Sequence, residues 1–103
     1  MNDHIIQNLK KLKQKYEPEG FIILGVFGSY ARNEESTESD IDILYELTPI
    51  AFQKYPGLKF IELYNQVKKD LEETFSTSVD LADKNSLSDI GRKYILSEVE
   101  YVA

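Results

Sequence analysis

The sequence predicts an α/β (α+β) fold in which a small mixed β-sheet is flanked by helices. Three observations carry the prediction. Several stretches place apolar residues at helical spacing, two others read as strands joined by a short polar link, and 103 residues with 42% hydrophobic composition suffice for one core. A chain of this size buries about two thirds of the surface its unfolded form exposes, so residues 1–103 are expected to form a single domain.

From the N-terminus, residues 3–17 carry Ile5, Ile6, Leu9, Leu12 and Tyr16 three and four apart, with lysines at 10, 11, 13 and 15 between them. This is an amphipathic helix with a solvated basic face, and Pro18 and Gly20 stop it. FIILGVF, residues 21–27, is continuous and apolar, as in a strand buried on both faces. The link GSYARNEESTES, residues 28–39, is small and polar. It leads into DIDILYEL, where Ile41 and Ile43 alternate with Asp40 and Asp42 in a second strand. So short a link disfavours a parallel crossover. The two strands are expected to pair antiparallel, with at most a short helix between them and Gly28-Ser29 beside Asp40. Thr48 and Pro49 end the second strand, and a loop with Tyr55, Pro56 and Gly57 follows. Phe60, Leu63, Tyr64, Val67, Leu71 and Phe75 trace a helix over 59–75, and Thr77, Val79 and Leu81 suggest a third strand over 77–82. Leu87, Ile90, Tyr94 and Ile95 give a last helix, and residues 98–102 a last short strand.

Charge and residue usage exclude several classes of function. Twelve Lys plus Arg against eighteen Asp plus Glu leave a formal net charge of -6, which argues against free nucleic-acid binding through a basic face. The absence of cysteine excludes thiolate metal sites and a Cys nucleophile, and a single histidine, His4, excludes a multi-histidine cluster. Any metal must then be held by oxygens. The longest apolar run has seven residues against roughly 18 needed to span a bilayer, and the N-terminus orders its charges unlike a secretory signal, so a cytoplasmic chain without a membrane is expected.

Asp40 and Asp42 are the most informative residues. Side chains at i and i+2 of a strand project from one face about 6 to 7 Å apart, so two carboxylates share a small volume. Such a pair repels unless a divalent cation neutralises it, and Mg²⁺ suits one or two carboxylates together with phosphate oxygens. A bare D-x-D also suits a solvated strand start. Gly28-Ser29 adds a second element, because glycine after a buried strand lets a ligand approach the backbone and Ser29 supplies a hydroxyl. The same dipeptide serves as an ordinary cap. No Walker loop and no dinucleotide fingerprint occurs.

Gly28-Ser29-Tyr30-Ala31-Arg32, then Glu34, Ser36 and Ser39-Asp40-Ile41-Asp42-Ile43-Leu44, resembles the signature of the DNA polymerase β-like nucleotidyltransferase superfamily in its minimal form. The match covers 17 consecutive positions with the family's spacing. Asn33 departs from the usual glycine, although asparagine tolerates a left-handed backbone well. The resemblance implies a palm-like nucleotidyltransferase fold and a third carboxylate from a later strand, for which Asp80 is the matching position. Asp40, Asp42 and Asp80 would then be the catalytic and metal-ligating residues, holding two Mg²⁺ ions. Gly28, Ser29 and Arg32 would meet the phosphates of a nucleoside triphosphate, ATP by analogy; for Arg32, pairing with Glu34 or Glu35 stands as the alternative.

A transferase also needs an acceptor, and little chain remains to build its pocket. Minimal members of the superfamily resemble one half of a two-gene pair with a helical HEPN protein, in which the nucleotidyltransferase is the antitoxin. The resemblance thus implies AMP transfer from ATP to a tyrosine of a HEPN toxin. Two other classes stay open, a small-molecule, antibiotic-type nucleotidyltransferase completed across a homo-oligomer interface, and a non-catalytic module that neutralises its partner by contact. Other residues receive plainer readings. His4 is expected exposed, Tyr16, Tyr64 and Tyr94 in the core, Tyr30, Tyr45, Tyr55 and Tyr101 partly exposed, and Asp70, Glu72 and Glu73 at a solvated helix end.

Overall fold

The computed structural model describes residues 3–102. Its first helix, α1 (Asp3–Tyr16), buries Ile5, Leu9, Leu12 and Tyr16, the stripe that their spacing dictates. A 3₁₀ turn over Glu17–Glu19 and Gly20 in the left-handed region (φ 83°) then redirect the chain. A Cβ on Gly20 would lie 2.3 Å from the Ala51 nitrogen, so both its conformation and its surroundings require glycine.

Strand β1 (Phe21–Phe27) follows, then α2 (Gly28–Ala31), β2 (Ile41–Leu47), α3 (Pro49–Lys54), α4 (Lys59–Phe75), β3 (Val79–Asp83), α5 (Asp89–Glu98) and β4 (Glu100–Tyr101). The sheet order is β3-β2-β1-β4. β1 pairs antiparallel with β2 and β4, whereas β2 and β3 run parallel, joined by α3 and α4. The sheet is mixed and the first link holds only a four-residue helix, as the spacing predicts. Helix α3 is absent from the sequence reading. Pro49 looked like a strand terminator, yet its fixed φ and missing N–H also suit the first turn of a helix.

A register shift between Ile23 and Gly25 inserts an extra residue into β1. Phe21, Ile23 and Val26 all reach the buried core because this bulge resets the alternation, while Phe27 comes opposite Asp42. One face of the sheet is covered by α1 and α4, whose Leu9, Leu63, Val67 and Leu71 meet Phe21, Ile23, Ile41 and Ile43 in the core. Each such side chain contributes about 1.5–3 kcal/mol through burial. The two helices are also tied to each other, since Lys15 and Tyr16 donate to the Asp70 carboxylate at 2.6 and 2.8 Å.

Several expectations are corrected here. Tyr45 is buried, because odd positions of β2 face the helices; it stacks on Phe21 with ring centroids 4.4 Å apart, and burial pushes its hydroxyl up to about 12. Asp70 and Glu72 are structural rather than merely solvated, Glu72 accepting the Val79 N–H at 3.0 Å. Tyr94 and Ile90 lie outside the core, 67% and 72% exposed. Helix α5 is capped by Ser88, whose hydroxyl accepts the Gly91 N–H, but only Ile95 and Leu96 turn partly inward, so its apolar stripe faces outward.

Candidate active site

Gly28 lies where β1 ends and α2 begins, with φ 74°. An added Cβ would sit 2.1 Å from Asp42 Oδ2, so the Asp42 carboxylate occupies the space that any other residue would fill. The expectation placed Gly28-Ser29 beside Asp40. The β1 bulge and the pairing of Phe27 with Asp42 bring Gly28 against Asp42 instead, and Asp40 stands exposed one residue before β2. Beyond α2 the chain turns through Asn33 in the left-handed region (φ 57°), as asparagine permits, and the Glu34 N–H returns to the Ser29 carbonyl at 2.8 Å.

Parallel pairing sets Asp80 of β3 directly beside Asp42. Equivalent positions on adjacent strands project from the same face, so the carboxyl groups meet. Burial, then the charges of Asp80 and Asp40, a hydrogen bond with Asp80 and the charge of Glu98 raise the Asp42 carboxyl from 3.8 to about 6. Asp83 takes a different role, accepting the Asn85 N–H at 3.0 Å and the Ser86 hydroxyl at 3.3 Å beyond the end of β3.

Arg32 is exposed and donates to Glu34 at 3.1 Å and to Glu98 at 3.0 Å. Glu98 is the residue that the sequence reading missed. Its other carboxylate oxygen accepts the Gly28 N–H at 3.1 Å, although the two residues are 70 apart in the chain. A glutamate at the end of a short, weakly patterned helix carries no local signal for such a contact.

Among the described residues, no group of three His, Cys, Asp or Glu side chains is close enough together to hold a metal ion. The structure therefore assembles the Asp42–Asp80 pair, with Asp40 near enough to act on Asp42 by charge but outside a ligating cluster. The pair's chemistry nonetheless fits a hard divalent cation. Two oxygen donors of like charge face each other, and one of them favours protonation until a cation compensates its charge. A cavity of about 200 Å³ lined by His4, Ile5, Tyr30, Ile41 and Phe75 lies on the opposite side of β2, since Ile41 and Asp42 project from opposite faces.

A mixed four-stranded sheet that sets a Gly-Ser turn and paired aspartates on neighbouring strands is the layout of a nucleotidyltransferase. Comparison with known proteins carries the assignment further, and the chain belongs to the polymerase β nucleotidyltransferase family, whose profile matches residues 7–102. It is 40% identical over 94 residues to the protein adenylyltransferase MntA of Thermococcus cleftensis, covering 90% of this chain and 83% of that one. Among solved structures, a candidate minimal nucleotidyltransferase superposes with a TM-score of 0.70 at 23% identity, over 91% of this chain and 88% of the other. An MNT antitoxin complex containing the tri-AMPylated HEPN toxin of Shewanella oneidensis gives a TM-score of 0.62 at 20% identity, over 100% of this chain and 72% of that one. Among the described residues, no helix is long and apolar enough to cross a membrane.

Proposed function

We propose that this nucleotidyltransferase is a Mg²⁺-dependent protein adenylyltransferase that moves AMP from ATP to a tyrosine hydroxyl of a HEPN toxin and so acts as its antitoxin. The observation that carries the reading is the position of Asp42, with Gly28 against one side of its carboxylate and Asp80 on the neighbouring strand. The adenylyltransferase name of the Thermococcus relative and the AMPylated toxin of the Shewanella complex support the choice of nucleotide and acceptor.

Asp42 and Asp80 would hold the Mg²⁺, with Asp40 close enough to add its charge to the site. When bound, Mg²⁺ neutralises triphosphate charge and stabilises the attacking and leaving oxygens of an in-line displacement. Gly28, having no side chain, lets phosphate oxygens approach the backbone, while Ser29 and Arg32 offer a hydroxyl and a guanidinium. Asp80 accepts the proton of the acceptor hydroxyl as its oxygen bonds to the α-phosphorus. The bond from that phosphorus to the β-phosphate bridging oxygen breaks, and pyrophosphate leaves.

The test incubates the protein with ATP labelled at the α-phosphate, Mg²⁺ and the product of the adjacent reading frame. Label is expected on a tyrosine of that product and is expected to vanish for Asp40→Ala and Asp42→Ala. Persistent transfer by either variant would overturn the mechanism. Neutralisation of the partner by the inactive variants would instead identify a contact module.

A further inference from the structure

Glu98 spans two donors with one carboxylate. Oε1 accepts the Gly28 N–H at 3.1 Å and Oε2 accepts from Arg32 at 3.0 Å. These groups come from separate elements, and the fold delivers Glu98 to them deliberately. It is the last residue of α5, and two residues later Glu100 pairs with Val26 of β1, just upstream of Gly28. The strand pairing therefore fixes the end of α5 beside the β1–α2 junction. Both oxygens are engaged, and Glu98 is less exposed than Arg32, 30% against 46% for the side chains.

An anion bridging a backbone amide and a guanidinium meets the same charge-assisted hydrogen bonding that a phosphate oxygen pair would. We infer that Glu98 is a built-in competitor for the phosphate cradle: its carboxylate occupies the donors Gly28 N–H and Arg32, and the nucleotide's phosphates must displace it to bind. The inference rests on the proposed role of Gly28 and Arg32 as phosphate contacts. Glu98 is accordingly a residue that sets nucleotide affinity rather than one that takes part in the chemistry.

Two features make displacement the natural outcome instead of joint binding. Arg32 already shares its positive charge between two carboxylates, Glu34 through Nε at 3.1 Å and Glu98 through Nη1 at 3.0 Å, so a phosphate competes with Glu98 for the same charge. Glu98 also faces Asp42 electrostatically within an acidic site, and an incoming polyanion adds to that repulsion. Affinity is then reduced by the fraction of molecules in which Glu98 holds the cradle. Neutralising Glu98 removes this reduction. With nine-tenths of molecules occluded the gain is about tenfold, and with two thirds about threefold.

The experiment measures binding of α,β-methylene-ATP with Mg²⁺ to the full chain by calorimetry, for the wild type, Glu98→Gln and Glu98→Ala. Glu98→Gln keeps the shape of the side chain, and circular dichroism verifies folding of both variants. Both are expected to bind the analogue about three- to tenfold more tightly, and the gain is expected to shrink when Arg32→Ala is added. A second readout is the Gly28 amide resonance of the free wild-type protein, which is expected to move upfield in Glu98→Ala as its carboxylate partner is lost. Wild-type binding that both folded variants leave unchanged or weaken overturns the inference alone. Failure of the wild type and both variants to bind the analogue overturns the nucleotide reading and this inference together. An unmoved Gly28 amide overturns the contact itself.

Discussion

Replacing Asp42 with asparagine should stabilise the metal-free protein while abolishing transfer. The Asp42 carboxyl is raised from 3.8 to about 6, first by burial and then by the charges of Asp80 and Asp40. A raised acid favours its protonated form on folding. The associated stability is present in full below about pH 4, is lost as pH climbs towards 6, and stays lost above it. At about 1.4 kcal/mol per pH unit the full displacement corresponds to roughly 3 kcal/mol. Asp42 is only half-buried and water screens its neighbours, so about 1 kcal/mol is the expected share. For a domain of this size that amounts to a rise in Tm of roughly 4–8 °C. The assay is thermal unfolding of wild type and Asp42→Asn in EDTA from pH 4 to pH 8. The two curves should converge at the acidic end and separate above pH 6, and added Mg²⁺ should raise Tm for the wild type far more than for the variant. An Asp42→Asn protein equal to or less stable than wild type at pH 7.5 would refute this account of the site's electrostatics.

Gly28→Ala should lower label transfer by more than about a hundredfold and cost roughly 1–2 kcal/mol in urea unfolding. Its Cβ meets Asp42 Oδ2 and its backbone must stay left-handed. Asp80→Asn, on an exposed strand position, should fold with near wild-type stability yet lose transfer by two orders of magnitude or more, read by the labelled-ATP assay. Asp70→Asn should destabilise the protein by roughly 1 kcal/mol in chemical denaturation at pH 7. Burial pushes the Asp70 carboxyl up, but hydrogen bonds from Lys15 and Tyr16 outweigh it and hold the group below its ordinary value. The Asp70 contribution is thus present above about pH 4 and is lost as acid protonates the group; a penalty that persisted in strong acid would contradict this role.

Much of the site was legible because strand geometry is simple. Alternation put Asp42 on the face of β2 opposite Ile41 and Ile43, with Asp40 just before the strand, and the short link forced β1 and β2 antiparallel, which left Gly28 beside Asp42. Asp80 reached Asp42 because the α3–α4 crossover brought β3 in parallel, an arrangement consistent with helix-length spacing between the two strands. The bulge in β1 was not legible, since FIILGVF is apolar throughout and an unbroken run hides a change in alternation. Its effect is the shift from Asp40 to Asp42 as the neighbour of Gly28. Glu98 was hidden for a different reason: its role comes from the β1–β4 pairing, a contact between distant parts of the chain. Ile90 and Tyr94 have helical spacing, but periodicity identifies a common face without saying whether anything covers it.

The place of Asp80 in the sheet has a second consequence, for solubility. β3 lies at the outer edge and offers an unpaired row of backbone groups, the usual template for strand addition by another copy. It is only five residues long and carries aspartates at its second and last positions. A second β3 docking there would bring like charges together, so the carboxylate proposed for catalysis also guards the edge against self-assembly. Removing its charge sacrifices that protection along with turnover, and an inactive variant at Asp80 should therefore aggregate at lower concentration than one at Asp42, whose strand is covered on both sides.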